Sequence, residues 1–140
     1  MQDPSAILPI EMKVEAEDDI VLVRQKVRTL AQESGFDPFA VAAMTTAASE
    51  LSRNVWTHAR RGTAKIQVLR EGDKVGLELI CSDHGPGIAD LKRAMAGGFS
   101  TIKSLGLGLS GTKRLVDEFH IDTEVGRGTT VTVRKWKKRF

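Results

Sequence analysis

The sequence predicts a two-layer α/β sandwich: one mixed, mostly antiparallel sheet with helices packed on a single face. Three observations predict it. Apolar residues recur at helical spacing through two stretches that end before Gly62. The period then changes to strand alternation, and a further helical stretch separates two tightly turned hairpins. Most strand neighbours are therefore sequence neighbours and run antiparallel. The 140 residues suit a single domain with a sizeable core, too small for a catalytic domain plus a separate regulatory one.

Each element has a local reason. Ile10 to Val14 alternates as IEMKV and reads as a short strand. From about Asp18 to Ser34, Val23, Val27, Leu30 and Ala31 recur at helical spacing. Asp18 and Asp19 sit at the end where negative charge is favoured, and Gly35 follows the stop. Asp37 can cap the next helix and Pro38 fits its first turn, where no N–H is missed. Its core stripe is Val41, Met44, Ala48, Leu51 and Val55, ending before Gly62. Thr63 to Arg70 and Lys74 to Cys81 flank Glu71-Gly72-Asp73 as a hairpin. A short helix is expected from Ala89 to Ala96 and a longer one from about Leu107 to Glu118. The chain closes with a strand from Ile121 to Val125, a turn at Gly126-Arg127-Gly128, and an alternating strand from Thr129 to Trp136. No internal repeat or low-complexity segment interrupts this order.

No apolar run approaches the roughly 20 residues of a membrane span, and the N-terminus lacks the basic and apolar regions of a signal peptide, so a cytoplasmic protein without membrane partners is expected. The single cysteine, Cys81, lies in the apolar run VGLELIC and reads as a buried, inert thiol. The net charge of +3 is local: five of the 21 basic residues, Arg134, Lys135, Lys137, Lys138 and Arg139, stand in the last seven positions, and the rest of the chain is slightly acidic. With no stacking aromatics in the loops and no tyrosine at all, a nucleic-acid partner is not expected.

Four motifs carry chemistry. Glu50, Asn54 and His58 are spaced i, i+4, i+8 and share one helix face beside the core stripe. Asn54 offers a neutral oxygen suited to Mg²⁺, and Glu50 one turn away can accept a proton; the same residues would equally serve as a polar flank with Glu50 pairing Arg53 or His58. Asp83-His84-Gly85-Pro86-Gly87 follows an apolar strand, where a carboxylate can accept from an exocyclic amine and the glycines allow a close, tightly turned backbone; a plain turn would look alike. Gly106, Gly108 and Gly111 spell G-x-G-x-x-G. The preceding residues read as a loop rather than a strand, and the 29 residues after Gly111 fit only one helix and a hairpin, so a dinucleotide fold is excluded and an anion-binding loop at a helix start remains. Gly126-Arg127-Gly128-Thr129 closes the set as a tight turn entering a strand.

The order E-x3-N-x3-H, strand-D-x-G-x-G, glycine loop, G-x-G-T resembles the Bergerat-type, or GHKL, ATP-binding domain shared by DNA gyrase, the ninety-kilodalton heat-shock chaperone, histidine kinases and mismatch-repair ATPases. The resemblance covers essentially the whole chain. It implies ATP and Mg²⁺ as cofactors, with Asn54 holding the metal and His58 beside it. It further implies that Asp83, with Gly85 and Gly87, binds the adenine amino group, that Gly106, Leu107, Gly108 and Gly111 cradle phosphates, and that Thr129 supports the adenine side. Lys103 in the loop is a candidate γ-phosphate contact and Glu50 the catalytic base. A stand-alone domain resembles the small serine kinases of bacterial partner-switching pathways, whose members include anti-sigma factors. The wording ASELSRNVWTHA, GGFSTIKSLGLGLSGTKRLVDEF and GRGTTV resembles in particular the stressosome switch kinases. That likeness implies a serine/threonine protein kinase that phosphorylates a STAS-domain antagonist or scaffold protein and then activates a PP2C-type phosphatase. Two other classes stay open: an anti-sigma factor that sequesters its partner in a nucleotide-dependent way, and a nucleic-acid-associated ATPase using the basic tail.

Overall fold

A computed structural model describes residues 9–91, Met95 and 105–138. Its elements are β1 (Ile10–Val14), α1 (Glu17–Glu33), α2 (Pro38–Ala59), β2 (Gly62–Glu71), β3 (Lys74–Asp83), α3 (Leu105–Leu115), β4 (Glu118–Glu124) and β5 (Gly128–Trp136). The strands form one sheet in the order β1-β2-β3-β5-β4. The expected α/β sandwich is thus present, but its sheet is not mixed: every strand pairing among the described residues is antiparallel. The reason is topological. The passage from β3 through α3 does bring β4 back in the direction of β3, yet β5 returns between them and separates the two parallel strands.

The core lies between the sheet and the helices. Val23 and Val27 of α1 and Met44, Leu51 and Val55 of α2 pack with Ile66, Leu77, Leu79, Val131 and Val133 of the sheet. The α2 boundaries are set locally. Asp37 Oδ1 accepts from the Ala40 N–H at 2.8 Å, and Pro38 occupies the first turn. At the other end Arg60 turns left-handed at φ 67° and its N–H donates to Val55 and Trp56 carbonyls. The chain then meets β3 so closely that a Cβ on Gly62 would lie 2.3 Å from the Ser82 carbonyl oxygen.

Expectations shift at the ends of α3 and the start of β4. The helix foreseen to Glu118 stops at Leu115, and β4 begins at Glu118 rather than Ile121. Sheet pairing outcompetes the helical pattern there: the Asp117 N–H donates to the Arg134 carbonyl at 3.0 Å, and Asp117 Oδ2 accepts from the Trp136 N–H at 2.7 Å. The helix foreseen from Leu107 also starts earlier, at Leu105. Of the helix expected from Ala89 to Ala96, Leu91 and Met95 are helical, while residues 92–94 and 96 lie outside the described residues.

On the sheet face away from α1 and α2, a ladder of long side chains crosses four strands. Gln67 Nε2 donates to Glu78 Oε1 at 3.0 Å, Arg134 Nε donates to Glu78 Oε2 at 2.7 Å, and Trp136 Nε1 donates to Glu118 Oε2 at 2.6 Å. Glu78 is buried on this face yet fully partnered, which is the condition under which a charge tolerates removal from water.

Candidate functional site

The C-terminal half of α2 supplies one wall of a narrow cleft. Glu50, Asn54 and His58 share a face of the helix, as their spacing requires, and all three are half-buried. Asn54 Nδ2 is buried without a hydrogen-bond partner, an exception to the usual pairing of buried polar atoms. Facing it is the first turn of α3. A Cβ on Gly108 would sit 3.1 Å from Glu50 Oε2, 3.5 Å from Asn54 Nδ2 and 3.7 Å from Asn54 Oδ1. Glycine at this position therefore leaves the space between the α3 backbone and the two polar side chains open.

The other wall is made where β3 and β5 end. Asp83 pairs in register with Thr129. Its Oδ1 accepts the Gly85 N–H at 2.8 Å, which turns the chain sharply and leaves Oδ2 as an acceptor. The glycines here are required by contact. A Cβ on Gly85 would lie 2.7 Å from the Ala59 Cβ. One on Gly87 would lie 2.3 Å from the Glu124 carbonyl oxygen, and Gly87 has φ +78°. One on Gly128 would lie 2.1 Å from the Asp83 carbonyl oxygen, at φ +124°. The loop is pinned to the β4–β5 turn by the Gly126 N–H on the Pro86 carbonyl at 2.9 Å, and by Thr123. Thr123 Oγ1 receives the Ile88 N–H at 2.9 Å and lies 2.8 Å from Thr129 Oγ1.

Between the walls, Leu51, Asn54, His58, Asp83, Leu109 and Thr129 enclose about 30 Å³ of free space. That holds little more than water. Buried Leu109 of α3 fills the cleft beside Asp83. Desolvation pushes the His58 pKa below its ordinary value, against a smaller upward pull from the Asp83 carboxylate, so the imidazole is neutral at pH 7. Burial, with the Asp83 charge adding to it, pushes the Cys81 thiol up to about 12, in keeping with an inert cysteine in the cleft floor.

The structure thus brings Glu50, Asn54, His58, Asp83, Gly108 and Thr129 to one cleft, with Gly85 and Gly87 in the loop behind Asp83. Gly106 and Leu107 lie in the first turn of α3, so the whole glycine motif is built into the helix. A Cβ on Gly111 would meet nothing within 4 Å, so that position faces open space rather than Glu50 and Asn54. Lys103 lies outside the described residues. Sequence reasoning missed Thr123, Ile88 and Leu109. Thr123 was reachable: pairing strands outward from the Gly126-Arg127-Gly128 turn sets it opposite Thr129. Leu109 carried no signal, because a leucine in a helix says nothing about which wall it faces.

The fold agrees with comparison to known proteins. Residues 14–135 match the histidine kinase-like ATPase domain, and the chain belongs to that family. The serine/threonine-protein kinase RsbT of Bacillus subtilis is 42% identical over 136 residues, covering 97% of this chain and 98% of that one. An anti-sigma F factor of a Thermoanaerobacter species is 30% identical over 102 residues, 69% of this chain and 70% of the other. Among solved structures, the RsbU and RsbW domains of a Mycobacterium tuberculosis protein superpose with a TM-score of 0.61 at 21% identity, covering 95% of this chain and 34% of that one. The mycobacterial sensor histidine kinase MprB gives 0.55 at 18% identity, covering 95% and 99%. These two likenesses concern the fold alone. No helix among the described residues is long and apolar enough to cross a membrane.

Proposed function

We propose that this protein is an ATP-dependent serine/threonine protein kinase of a partner-switching pathway, phosphorylating a serine of a STAS-domain antagonist or scaffold protein and then acting on a PP2C-type phosphatase. The observation that carries the reading is the approach of the Gly108 backbone to Glu50 and Asn54, in a chain 42% identical to RsbT along almost its full length.

The residues divide the work. Asp83 Oδ2 faces the adenine amino group while Oδ1 stays on the Gly85 N–H. Thr129, held by Thr123, supports the same side. The first turn of α3, with Gly106, Leu107 and Gly108, offers backbone N–H groups and the positive helix end to the phosphates. Asn54 fits a Mg²⁺ site: its buried amide lacks a partner, and turning it about its axis presents Oδ1 to the same open space. Bound there, the metal would neutralise phosphate charge. Glu50 keeps 39% of its side chain exposed, and Arg53 approaches no closer than 4.0 Å, so its carboxylate is accessible to a protein substrate. It accepts the serine hydroxyl proton as the serine oxygen bonds to the γ-phosphorus and ADP departs. Neutral His58 places no positive charge on the helix face that carries Asn54, where it would repel the metal.

The test uses a STAS-domain acceptor and radiolabelled ATP. Glu50→Gln should bind ATP like the parent while phosphorylation falls about 10²–10⁴-fold. Asn54→Ala should lose both nucleotide affinity and transfer, with partial recovery at high Mg²⁺. Parental transfer by Glu50→Gln would remove Glu50 as the base. A second reading follows from the 30% identity to anti-sigma F factors: a sigma factor retained by the ADP-loaded protein, with no acceptor labelled, would favour sequestration over kinase signalling.

A further inference from the structure

Three polar side chains line up across β3, β5 and β4: Asp83 pairs in register with Thr129, and Thr129 with Thr123. Opposed residues of antiparallel strands share a face, and here it is the face that carries Val131 and Val133 into the core. Asp83 and Thr129 line the cleft, and Thr123 stands one strand behind them. The Thr123 hydroxyl has three neighbours. It accepts from the Ile88 N–H at 2.9 Å, lies 2.8 Å from Thr129 Oγ1, and lies 3.3 Å from the Gly128 carbonyl oxygen.

A hydroxyl has one proton to give and two lone pairs with which to receive. The Ile88 amide can only donate, so it takes one Thr123 lone pair and fixes the direction at that end. The Thr123 proton then has two acceptors within reach. Thr129 Oγ1 stands at the usual O–H···O distance, whereas the Gly128 carbonyl stands beyond it. A proton given to Thr129 occupies a Thr129 lone pair and leaves the Thr129 proton for the cleft. Donation therefore runs one way, from Ile88 through Thr123 to Thr129, and ends in an O–H donor beside the Asp83 carboxylate.

We propose that Thr123 is a positioning residue which, by holding Thr129 as a donor, makes the cleft select aminopurine over oxopurine nucleotides; this rests on the assignment of the cleft to ATP. Adenine presents an amine donor beside a bare ring nitrogen, the complement of an acceptor at Asp83 and a donor at Thr129. Hypoxanthine inverts both groups, presenting a carbonyl oxygen beside an N–H. Asp83 rejects the first inversion by itself, because an ionised carboxylate only accepts. A lone threonine does not reject the second, since its hydroxyl turns to accept as readily as to donate. Thr123 removes that freedom. For Thr129 to turn and accept from the base it gives its proton back to Thr123, which drives the Thr123 proton onto the distant Gly128 carbonyl. A site built to hydrogen-bond one partner discriminates through the polar groups that a wrong partner leaves unpaired.

The test is the affinity of the full chain for ATP and for ITP, which differ only in these two groups of the base, measured by titration calorimetry with Mg²⁺ present. The parent should prefer ATP. Thr123→Val keeps the shape and removes the hydroxyl, so the preference should fall about tenfold, chiefly through tighter ITP binding by a Thr129 now free to turn. Loss of the Ile88 contact alone would weaken both nucleotides alike, so the ratio separates positioning from support of the loop. Thr123→Ser should restore the parental ratio. In a Thr129→Val background the donor is already gone, and adding Thr123→Val should leave the ratio where it is. With ATP binding intact, the proposal is overturned if Thr123→Val keeps the parental ratio, if Thr123→Ser does not restore it, or if Thr123→Val still lowers it in the Thr129→Val background. A parent that binds neither nucleotide would instead overturn the assignment of the cleft to ATP, and the proposal with it.

Discussion

The two walls of the cleft use glycine in opposite ways. On the Asp83 side, Gly62, Gly85, Gly87 and Gly128 are glycines because a Cβ would come within 2.1–2.7 Å of a neighbouring atom. On the α3 side, a Cβ on Gly108 would stand 3.1 Å from Glu50 Oε2, and one on Gly111 would meet nothing within 4 Å. The first wall is closed by its own backbone and is rigid for that reason. The second approaches less closely, and Gly111, where a Cβ would meet nothing, costs helix stability without a steric reason.

That contrast can be broken or sharpened by substituting alanine. The largest effect belongs to Gly128→Ala, which forces a Cβ into the Asp83 carbonyl at a φ that side chains rarely adopt. It should cost about 3–5 kcal/mol in chemical denaturation, and a loss below about 1 kcal/mol would mean the rigid wall can yield. Next is Gly108→Ala. A methyl group there crowds Glu50 and narrows the approach to Asn54, so ATP affinity should fall about tenfold or more by calorimetry while the fold holds, since alanine favours the helix. Unchanged affinity would show that the α3 wall moves away from α2 when nucleotide binds. Gly111→Ala should stabilise the protein by about 0.5–1 kcal/mol and leave ATP binding alone; a binding defect would return Gly111 to the site.

The smallest effect is the pH response of His58, which lines the cleft from α2. Its pKa is lowered in the folded protein, so the unfolded chain takes up a proton first as pH falls. The contribution is fully present above the unfolded value of about 6.5 and is lost as pH falls toward the lower folded value. His58→Gln should flatten that part of the stability curve in thermal melts between about pH 7 and 5. An identical slope in parent and variant would place the titrating group elsewhere.

Much of this site was legible because its signals are local. Glu50, Asn54 and His58 share a face by helical period alone, Asp37 and Pro38 announce the start of α2, and Asp83 followed by Gly85 and Gly87 announces a turn at a strand end. The glycine motif was placed in part: a helix from about Leu107 takes in Gly108 and Gly111, and the structure adds Gly106 to its first turn. Whether Gly106 precedes the helix or begins it depends on where the helix docks, and no residue within the motif records that.

What the sequence by itself determined is the set of elements with their periods and the polar face of α2. These rest on backbone geometry over a few residues. Tertiary structure alone decided that β5 comes between β3 and β4, so that Thr129 lies opposite Asp83. It alone decided that Gly108 approaches Glu50 and Asn54, and that Leu109 fills the cleft. It also drew Arg134 of the basic tail onto Glu78 and Glu118. The physical reason is common to all of them: each is a contact between residues far apart in the chain, set by strand register and helix docking, and the free energy of such contacts is written in no single stretch of sequence.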